Sequence, residues 1–213
     1  MFAPSSILPL RQRQRFPPSD CVTPNTAGLG AGTALACLRA CRVAPVTATI
    51  VIFADMFRAL PPLVLILLVY FGLPGVGITL SAPVVLFAVL SLILAAFAEE
   101  IVWAGITATP KGQWEAARST GMGFAQTLAW VVLPQAVRMT IPPLTNRAIA
   151  ITKMTALGMV IGVSDILGEA TTAQSFSANA SPLTLAAVAY VALFLPLVVA
   201  SRWLETRYAM GRG

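Results

Sequence analysis

The sequence contains no histidine, and only 10% of its 213 residues are charged. A soluble domain usually carries about 25% charged residues, so this deficit favours a membrane protein. Without histidine, the chain has neither an imidazole base nor a histidine metal ligand, which removes two common enzyme chemistries. Residues 59–98 contain no Asp, Glu, Lys or Arg, and that stretch is long enough for more than one apolar span. We therefore expect a membrane protein that is not an enzyme.

Other features that would indicate different protein classes are also missing. The chain has no G-x-x-x-x-G-K-[ST] motif, so any ATP should be used by a separate subunit. Its three cysteines (Cys21, Cys37 and Cys41) are an odd number without further ligands, which implies neither a disulfide framework nor a metal site. Prolines 4, 9, 17, 18 and 24 interrupt any signal peptide. The formal charge of +6 is interpreted as membrane orientation, not nucleic-acid binding, because the cations lie at segment ends.

Long apolar segments, punctuated by glycine and proline, predict an all-α, polytopic membrane protein. Four full transmembrane helices are predicted over residues 46–73, 82–107, 137–163 and 183–203. The first should kink near Pro61-Pro62, and the third should be interrupted at Pro142-Pro143. Residues 27–38 are apolar, but a helix of that length reaches only about 18 Å and cannot span alone. Residues 1–26 are predicted to be a disordered, proline-rich extension before a transmembrane domain over residues 27–210.

The distribution of Lys and Arg predicts the orientation of these spans. The connections at 72–81 and 164–182 contain neither residue type, whereas residues 1–45, 108–118 and 202–213 hold most of them. With four spans, the two sets alternate across the membrane. The N-terminus, the segment 109–134 and the C-terminus should therefore be cytoplasmic.

The cytoplasmic segment 109–134 contains the start and stop signals of a short helix. Thr109-Pro110 is suited to begin the helix, as an N-cap followed by proline in the first turn. Glu115 and Arg118 lie three residues apart and can pair on its exposed face. Gly121 is suited to end it, because the position after a helix often needs a positive φ.

A second short helix is predicted to begin near Gly123. Its apolar residues fall on one face at helical spacing: Phe124, Leu128, Val131 and Val132. Pro134 should end or bend it. The local pattern predicts either an interfacial loop or a rigid pair of helices hinged at Gly121-Met122-Gly123.

Ionisable residues inside spans are costly or functional, and usually face the interior of the bundle. Asp55 and Arg58 either neutralise each other or leave Arg58 facing a translocation path. Glu99 and Glu100 point about 100° apart on a helix, so they should not both face one partner. Lys153 either lines a path for amino-acid carboxylates or forms a salt bridge between helices.

The spacing within 109–134 resembles the loop of bacterial ABC importer permeases. That loop has E-A-A, three residues, G, nine residues, an aliphatic residue, any residue, and L-P. The matching positions are Glu115, Ala116, Ala117, Gly121, Val131, Leu133 and Pro134. "FRALPPLVLILLVYFGLP" (57–74), "TPKGQWEAA" (109–117) and "LPQAVRMTIPPLTN" (133–146) are similar to the polar amino acid branch, the histidine, glutamine and glutamate type.

The resemblance, which runs from about residue 28 to 207, implies a function and a set of partners. In this family the short helix of the loop docks into a cleft on a separate ATPase subunit. The resemblance therefore implies that Glu115, Ala116, Ala117, Gly121, Leu133 and Pro134 couple the chain to that ATPase, with Glu115 and Gly121 as the central positions. It also implies a second permease subunit, identical or related, an extracytoplasmic solute-binding protein and a bacterial inner membrane. Arg58, Glu100 and Lys153 are the candidate path residues, and Glu100 matches an acidic position of the family.

The chain departs from the family at several positions. Arg58-Ala59-Leu60-Pro61 stands where members commonly have R-G-T-P, and Lys153-Met154-Thr155-Ala156-Leu157 where they have K-D-T-S-L. Members also begin with a complete span, so we expect a truncated or frame-disturbed start here. The alternatives to a transporting permease are a degenerate, non-transporting membrane subunit and a secondary transporter coupled to ions through Glu99 or Glu100.

Overall fold

The computed structural model describes residues 18–209, apart from the side chains of 18–23, 204, 205 and 207–209. The regular elements of this range are all helical, which confirms the all-α class. The α-helices are α1 (Pro18–Ala40), α2 (Ala44–Ala59), α3 (Pro62–Gly72), α4 (Ala82–Ala108), α5 (Lys111–Ser119), α6 (Phe124–Thr127), α7 (Leu133–Lys153), α8 (Ile166–Ser177) and α9 (Ser181–Ala209). Short 3-10 helices follow α3 and α7, and a π-helical turn joins α6 to α7.

Helix α4 forms the centre of the bundle and packs against α1, α2, α3 and α7. Apart from Ser91, its residues before Glu99 are apolar on every face, as expected for a helix buried in a bundle or spanning a membrane. The main core cluster joins α4 to α3 and to the end of α7, and its fully buried members include Ile66, Leu90, Ile93 and Ile151. A second cluster joins α1, α4 and the π-helical turn. The central helix therefore links the two ends of the bundle.

Helices α1 and α4 run parallel and approach closely. Contacts ascend together along both: the Ser91 hydroxyl donates to the Pro24 carbonyl at 3.4 Å, and Arg39 reaches Glu99 at 3.0 Å. A Cβ added to Gly32 would lie 2.6 Å from the Ala95 carbonyl oxygen, so the absence of a side chain permits this approach. The Pro18 end of α1 thus lies with the start of α4, and the ends of both helices lie together.

Helix α1 corrects two expectations. It begins at Pro18, so residues 18–26 are helical where a disordered extension was predicted, while residues 1–17 lie outside the described range. Proline is tolerated in the first turn of a helix, and the Asn25 amide donates to the Thr152 hydroxyl at 2.7 Å, so tertiary contacts outweigh the proline-rich composition. Because α1 is parallel to α4, its Pro18 end lies at the opposite end of the bundle from the segment 109–134. The charge pattern had predicted that the N-terminus and this segment lie on the same side of the membrane.

The predicted kink at Pro61-Pro62 is confirmed, but it is sharper than a kinked single span. Helix α2 ends at Ala59, and α3 begins at Pro62. The pair is bent by 102° at this break. Pro62 has no backbone N–H for the preceding helix, and Leu60 and Pro61 adopt extended backbone, so the two helices separate here.

The predicted interruption at Pro142-Pro143 is wrong. Helix α7 passes through both prolines and ends only at Lys153, where a 3-10 helix, Met154–Ile161, continues the chain. Each proline removes one N–H donor, but α7 packs on α4 on both sides of the pair, through Thr140 beside Gly105 and through Ile151 in the main core cluster. The left-handed Gly162, with φ of 83°, ends the 3-10 helix.

Two described helices are long and apolar enough to cross a membrane, Ala82–Ala108 and Ser181–Trp203, and a third span results if the bent pair α2–α3 counts as one. Helix α7 carries Arg138, Arg147 and Lys153, which lower its hydropathy. These helices support a polytopic membrane protein, and the predicted count of four full spans plus a short helix stays a prediction.

Candidate coupling surface and translocation path

The segment between α4 and α7 forms a short helix, α5, as the sequence predicted, with a different start. Thr109 does not cap α5; its hydroxyl donates to the Gly105 carbonyl at 3.1 Å and closes the end of α4. Pro110, in extended backbone, precedes Lys111, the first residue of α5. Helices α4 and α5 are therefore joined by two residues, Thr109 and Pro110, and Thr109 closes the end of α4.

The predicted helix end at Gly121 is confirmed. The Gly121 N–H donates to the Arg118 carbonyl at 3.0 Å, and its φ is 89°, a region that favours glycine. A Cβ added there would meet nothing within 4 Å. Glycine at 121 is thus required by the backbone turn.

The second half of the segment differs from the prediction at its end. Helix α6 spans Phe124–Thr127, and a π-helical turn, Leu128–Val132, leads directly into α7. Pro134 does not end this run, because the π-helical turn directly before it locally widens the helix and accommodates the missing N–H. Leu128 and Val132 are buried as expected, whereas Phe124 is 38% exposed.

Helix α5 is held rigidly against the bundle by Trp114 and Gln113. The Trp114 ring stacks on Phe124 at 5.5 Å between centroids, and it also packs on the cluster that joins α1 to α4. The Gln135 amide donates to the Gln113 side chain at 3.3 Å and so connects α5 to the start of α7. A displacement of α5 would therefore be transmitted to α1, α4 and α7.

The outward surface of this segment is what we call the coupling surface, defined by the six positions that the sequence singled out. Glu115 and Ala116 are exposed, Ala117 is buried, Gly121 and Pro134 are exposed, and Leu133 is half-buried. The predicted Glu115–Arg118 pair is not among the ion pairs formed within residues 18–209. The Glu115 carboxylate thus stands on the surface of α5, available to another molecule.

Charged side chains form a network where α1, α2 and α4 meet. Arg58 contacts Asp55 one turn before it, and its other terminal nitrogen lies 3.5 Å from the Glu100 carboxylate. Arg39 lies 3.0 Å from Glu99 and 3.4 Å from Glu100. Asp55 and Arg58 neutralise each other, as one of the two alternatives predicted, and Arg58 also reaches across to α4.

The expectation that Glu99 and Glu100 cannot share a partner is wrong. Their Cβ atoms diverge on the helix, but glutamate has two methylene groups that let both carboxylates bend toward the Nη1 atom of Arg39. Glu99 is fully buried, so its ion pair with Arg39 offsets the cost of placing a charge inside the bundle. Arg39 also lies over the Trp103 ring, 4.6 Å from its centroid.

Lys153 lies away from this network. Its ammonium group lies 5.5 Å from the centroid of Phe194 on α9, and no carboxylate of the described residues forms an ion pair with it. The structure therefore brings Arg58 and Glu100 together and leaves Lys153 apart. Phe194 and Thr152 line a cavity of about 590 Å³ between α7 and α9, to which Asp165 and Tyr190, hydrogen-bonded at 2.9 Å, also contribute.

The sequence patterns did not indicate the contacts of Arg39, Trp114 and Arg147. Arg39 follows an apolar segment, 27–38, that is too short to span a membrane, and the pattern therefore indicates no carboxylate partner for it. The signal for Trp114 was available, because a tryptophan in a polar nine-residue helix needs an apolar contact. Arg147 lies 3.7 Å from the centroid of Phe97, and its position inside α7 could have been recognised by its apolar neighbours.

Comparison with known proteins gives a consistent result along nearly the whole chain. A sequence model of the family described as "Binding-protein-dependent transport system inner membrane component" matches residues 28–210. The probable glutamine ABC transporter permease protein GlnP of Bacillus subtilis is 36% identical over 84% of this chain and 83% of its own length. The arginine ABC transporter permease protein ArtQ of Haemophilus influenzae is 34% identical over 74% of this chain and 75% of its own.

Solved structures show the same similarity in three dimensions. A chain from the crystal structure of an amino acid ABC transporter with histidines superposes with a TM-score of 0.81 at 30% identity, over 89% of each chain. A chain of the inward-facing MetNI methionine ABC transporter superposes with a TM-score of 0.70 at 20% identity, over 88% of this chain and 91% of that one. The second similarity is one of fold alone.

Proposed function

Because the chain belongs to the family of binding-protein-dependent transport system inner membrane components, we propose a role for each part of its helical bundle. The chain is the membrane permease subunit of an ABC transporter for amino acids. The relatives do not favour a secondary transporter or a non-transporting subunit. As a permease it supplies the helices through which a solute crosses, and the work of ATP hydrolysis belongs to another polypeptide.

The coupling surface is proposed to dock on that ATPase, and the exposure of Glu115 on a firmly held helix carries this proposal. Helix α5 presents Glu115 and the small Ala116 to the outside, so another protein can approach its backbone. Behind them, Trp114 and Gln113 connect the helix to the bundle. A closing motion of the ATPase would move α5 as a rigid element and shift α4 and α7 with it. This chain would bind no cofactor itself, and ATP would bind to the partner.

The experiment is co-purification of the tagged chain with its ATPase subunit. Glu115→Lys should abolish the complex, because it places a cation where the ATPase cleft accepts a carboxylate. Glu169→Lys on α8 is the matched control, since it makes the same change at an exposed carboxylate on the opposite end of the bundle. A complex that survives Glu115→Lys unchanged would exclude docking through α5.

The remaining partners follow from the same assignment. Two permease subunits, identical or related, would enclose the path, each above one ATPase subunit in the bacterial inner membrane. The connections at 73–81 and 162–180 would face outward toward a solute-binding protein, and α5 and the C-terminus would be cytoplasmic. The absence of Lys and Arg from the outward connections supports this orientation.

Arg58, Glu100 and Lys153 are proposed to contribute to the translocation path. Arg58 and Glu100 would act as a bridge between α2 and α4, since their charges lie 3.5 Å apart. Lys153 would offer its cation to a carboxylate, because the described residues supply no ion-pair partner for it. Its ammonium group lies beside Phe194, which lines a largely apolar cavity between α7 and α9, and that position supports the role.

A further inference from the structure

A cationic cavity opens where the ends of α1 and α4 meet α5. Its volume is about 460 Å³, and three cations, Arg42, Lys111 and Arg118, line it together with one carboxylate, Glu115. All three cations are exposed, and none of them belongs to an ion pair formed within the described residues. The cavity therefore has an excess of positive charge that the described part of the chain does not neutralise.

The fold supplies these cations from two separate places. Lys111 and Arg118 lie seven residues apart on α5, which puts them two turns apart on one face. Arg42 lies in the turn between α1 and α2 with a φ of 54°, an uncommon conformation for a residue with a side chain. Trp103 and Trp114 add aromatic surface to the cavity, as side chains at a membrane–water boundary often do.

An apolar groove adjoins the cationic cavity and shares Arg42 and Trp103 with it. The groove, of about 680 Å³, lies between α1, α2 and α4. From Arg42 it follows one face of α2 past Ala48 and Val51 to Ile52, which is 67% exposed. It therefore extends from the charged ends of the helices along apolar surface.

We propose that the cavity and the groove together bind one anionic phospholipid. The phosphate of its headgroup lies among Arg42, Lys111 and Arg118, and an acyl chain lies along α2 in the groove. A basic pocket between helices, at the level where the membrane meets water, is a recurrent binding site for anionic headgroups. A zwitterionic lipid would bring its own cation into an already cationic cavity, and a free anion would leave the groove unused. The site includes one face of α5, so a lipid there would contact Glu115 of the coupling surface.

The test is lipid binding to the purified full chain in a neutral detergent, measured by native mass spectrometry and by the shift in unfolding temperature. Dioleoyl-phosphatidylglycerol, dioleoyl-phosphatidylcholine and inorganic phosphate are the three probes, which separate the headgroup charge, the acyl chains and the free anion. Each cation near an anionic headgroup contributes about fivefold to affinity. The triple variant Arg42→Gln, Lys111→Gln, Arg118→Gln should therefore bind phosphatidylglycerol about a hundredfold more weakly. Ile52→Asn should weaken the binding of phosphatidylglycerol, because it places a polar side chain in the groove for the acyl chain. It should leave the preference for phosphatidylglycerol over phosphatidylcholine unchanged.

Arg138→Gln is the matched control, because Arg138 is an exposed cation of α7 outside both cavities. It should bind phosphatidylglycerol as the unmodified chain does. Equal binding of the two lipids, or an equal loss in Arg138→Gln and the triple variant, would overturn the proposal. If inorganic phosphate alone raised the unfolding temperature as much as phosphatidylglycerol does, the cavity would be a site for a free anion, and the proposal would be overturned. Because binding is measured without the ATPase, the result does not depend on transport.

Discussion

At the scale of single residues, Arg39 neutralises the fully buried carboxylate of Glu99 across the contact between α1 and α4. The cost of burying a carboxylate identified Glu99 and Glu100 as positions that need partners. The partner, Arg39, could not be assigned, because a segment beginning at residue 27 seemed too short to carry it into the bundle. Since α1 begins at Pro18, Arg39 lies near the end of a helix of 23 residues beside α4. Loss of Arg39 would leave Glu99 buried without a compensating charge.

Lys153→Ala should weaken the response of the transporter to amino acids. If the Lys153 ammonium receives a substrate carboxylate, removing one charge-assisted contact should raise the half-saturating amino-acid concentration about tenfold. The measurement is amino-acid-stimulated ATP hydrolysis by the reconstituted transporter, complete with its ATPase and binding protein. Lys153→Arg keeps the charge and should retain most of the response.

The control for Lys153→Ala is Arg138→Ala, which removes an exposed cation from the other end of α7. Its half-saturating concentration should be unchanged. A normal response in Lys153→Ala, at normal membrane levels, would remove Lys153 from the path and leave its contact with Phe194 as a packing interaction.

At the scale of helices, the features that depend on local chemistry were predictable. The turn at Gly121 and the break at Pro61-Pro62 follow from allowed backbone conformations, and both occur where expected. Pro142-Pro143 shows the limit, because the same local rule predicted an interruption that tertiary packing prevents. Tertiary packing also explains the start of α1. Its proline-rich composition predicts disorder, but contacts with α4 and α7 stabilise the helix there.

The close contact of α1 with α4 predicts different effects for two nearby glycines. Gly32→Val should destabilise the bundle by about 1–3 kcal/mol, because its side chain would collide with the backbone of α4. The closest atoms, the Ala95 carbonyl oxygen and the Ala98 Cβ, lie 2.6 Å from the Cβ that the substitution adds. Gly30→Val introduces the same side chain into the same helix, where an added Cβ meets nothing within 4 Å.

The measurement for these glycines is thermal unfolding of the purified chain in detergent. Both substitutions change helix propensity equally, so the difference between them isolates packing between α1 and α4. The unfolding temperature of Gly32→Val should fall below that of Gly30→Val. Equal unfolding temperatures would mean that α1 does not pack on α4 through Gly32.

At the scale of the whole molecule, the direction of α1 decides which of its ends lies on the same side of the bundle as α5. Helix α7 and the 3-10 helix that continues it run antiparallel to α4, since Thr140 lies beside Gly105 and Gly158 beside Leu86. Helix α1 is parallel to α4, so the turn at Cys41-Arg42 lies at the same end as α5. The positive-inside rule placed α5 and the C-terminus on one side by charge alone. The rule failed for the start of α1, because the cations were counted over residues 1–45 as one cytoplasmic segment. That segment contains α1, whose two ends lie at opposite ends of the bundle.

This arrangement predicts the side from which three single-cysteine variants react with a membrane-impermeant maleimide. The first keeps the exposed Cys41 and replaces Cys21 and Cys37 by serine. The other two lack all three native cysteines and carry Ser119→Cys on α5 or Ser177→Cys at the end of α8, both exposed positions. Cys41 and the cysteine at 119 should react in inverted vesicles and not in intact cells, and the cysteine at 177 should do the opposite. Labelling of Cys41 and the cysteine at 119 from opposite sides would contradict the parallel packing of α1 and α4. Labelling of both from outside would keep that packing and reverse the orientation, which would place α5 beyond the reach of a cytoplasmic ATPase.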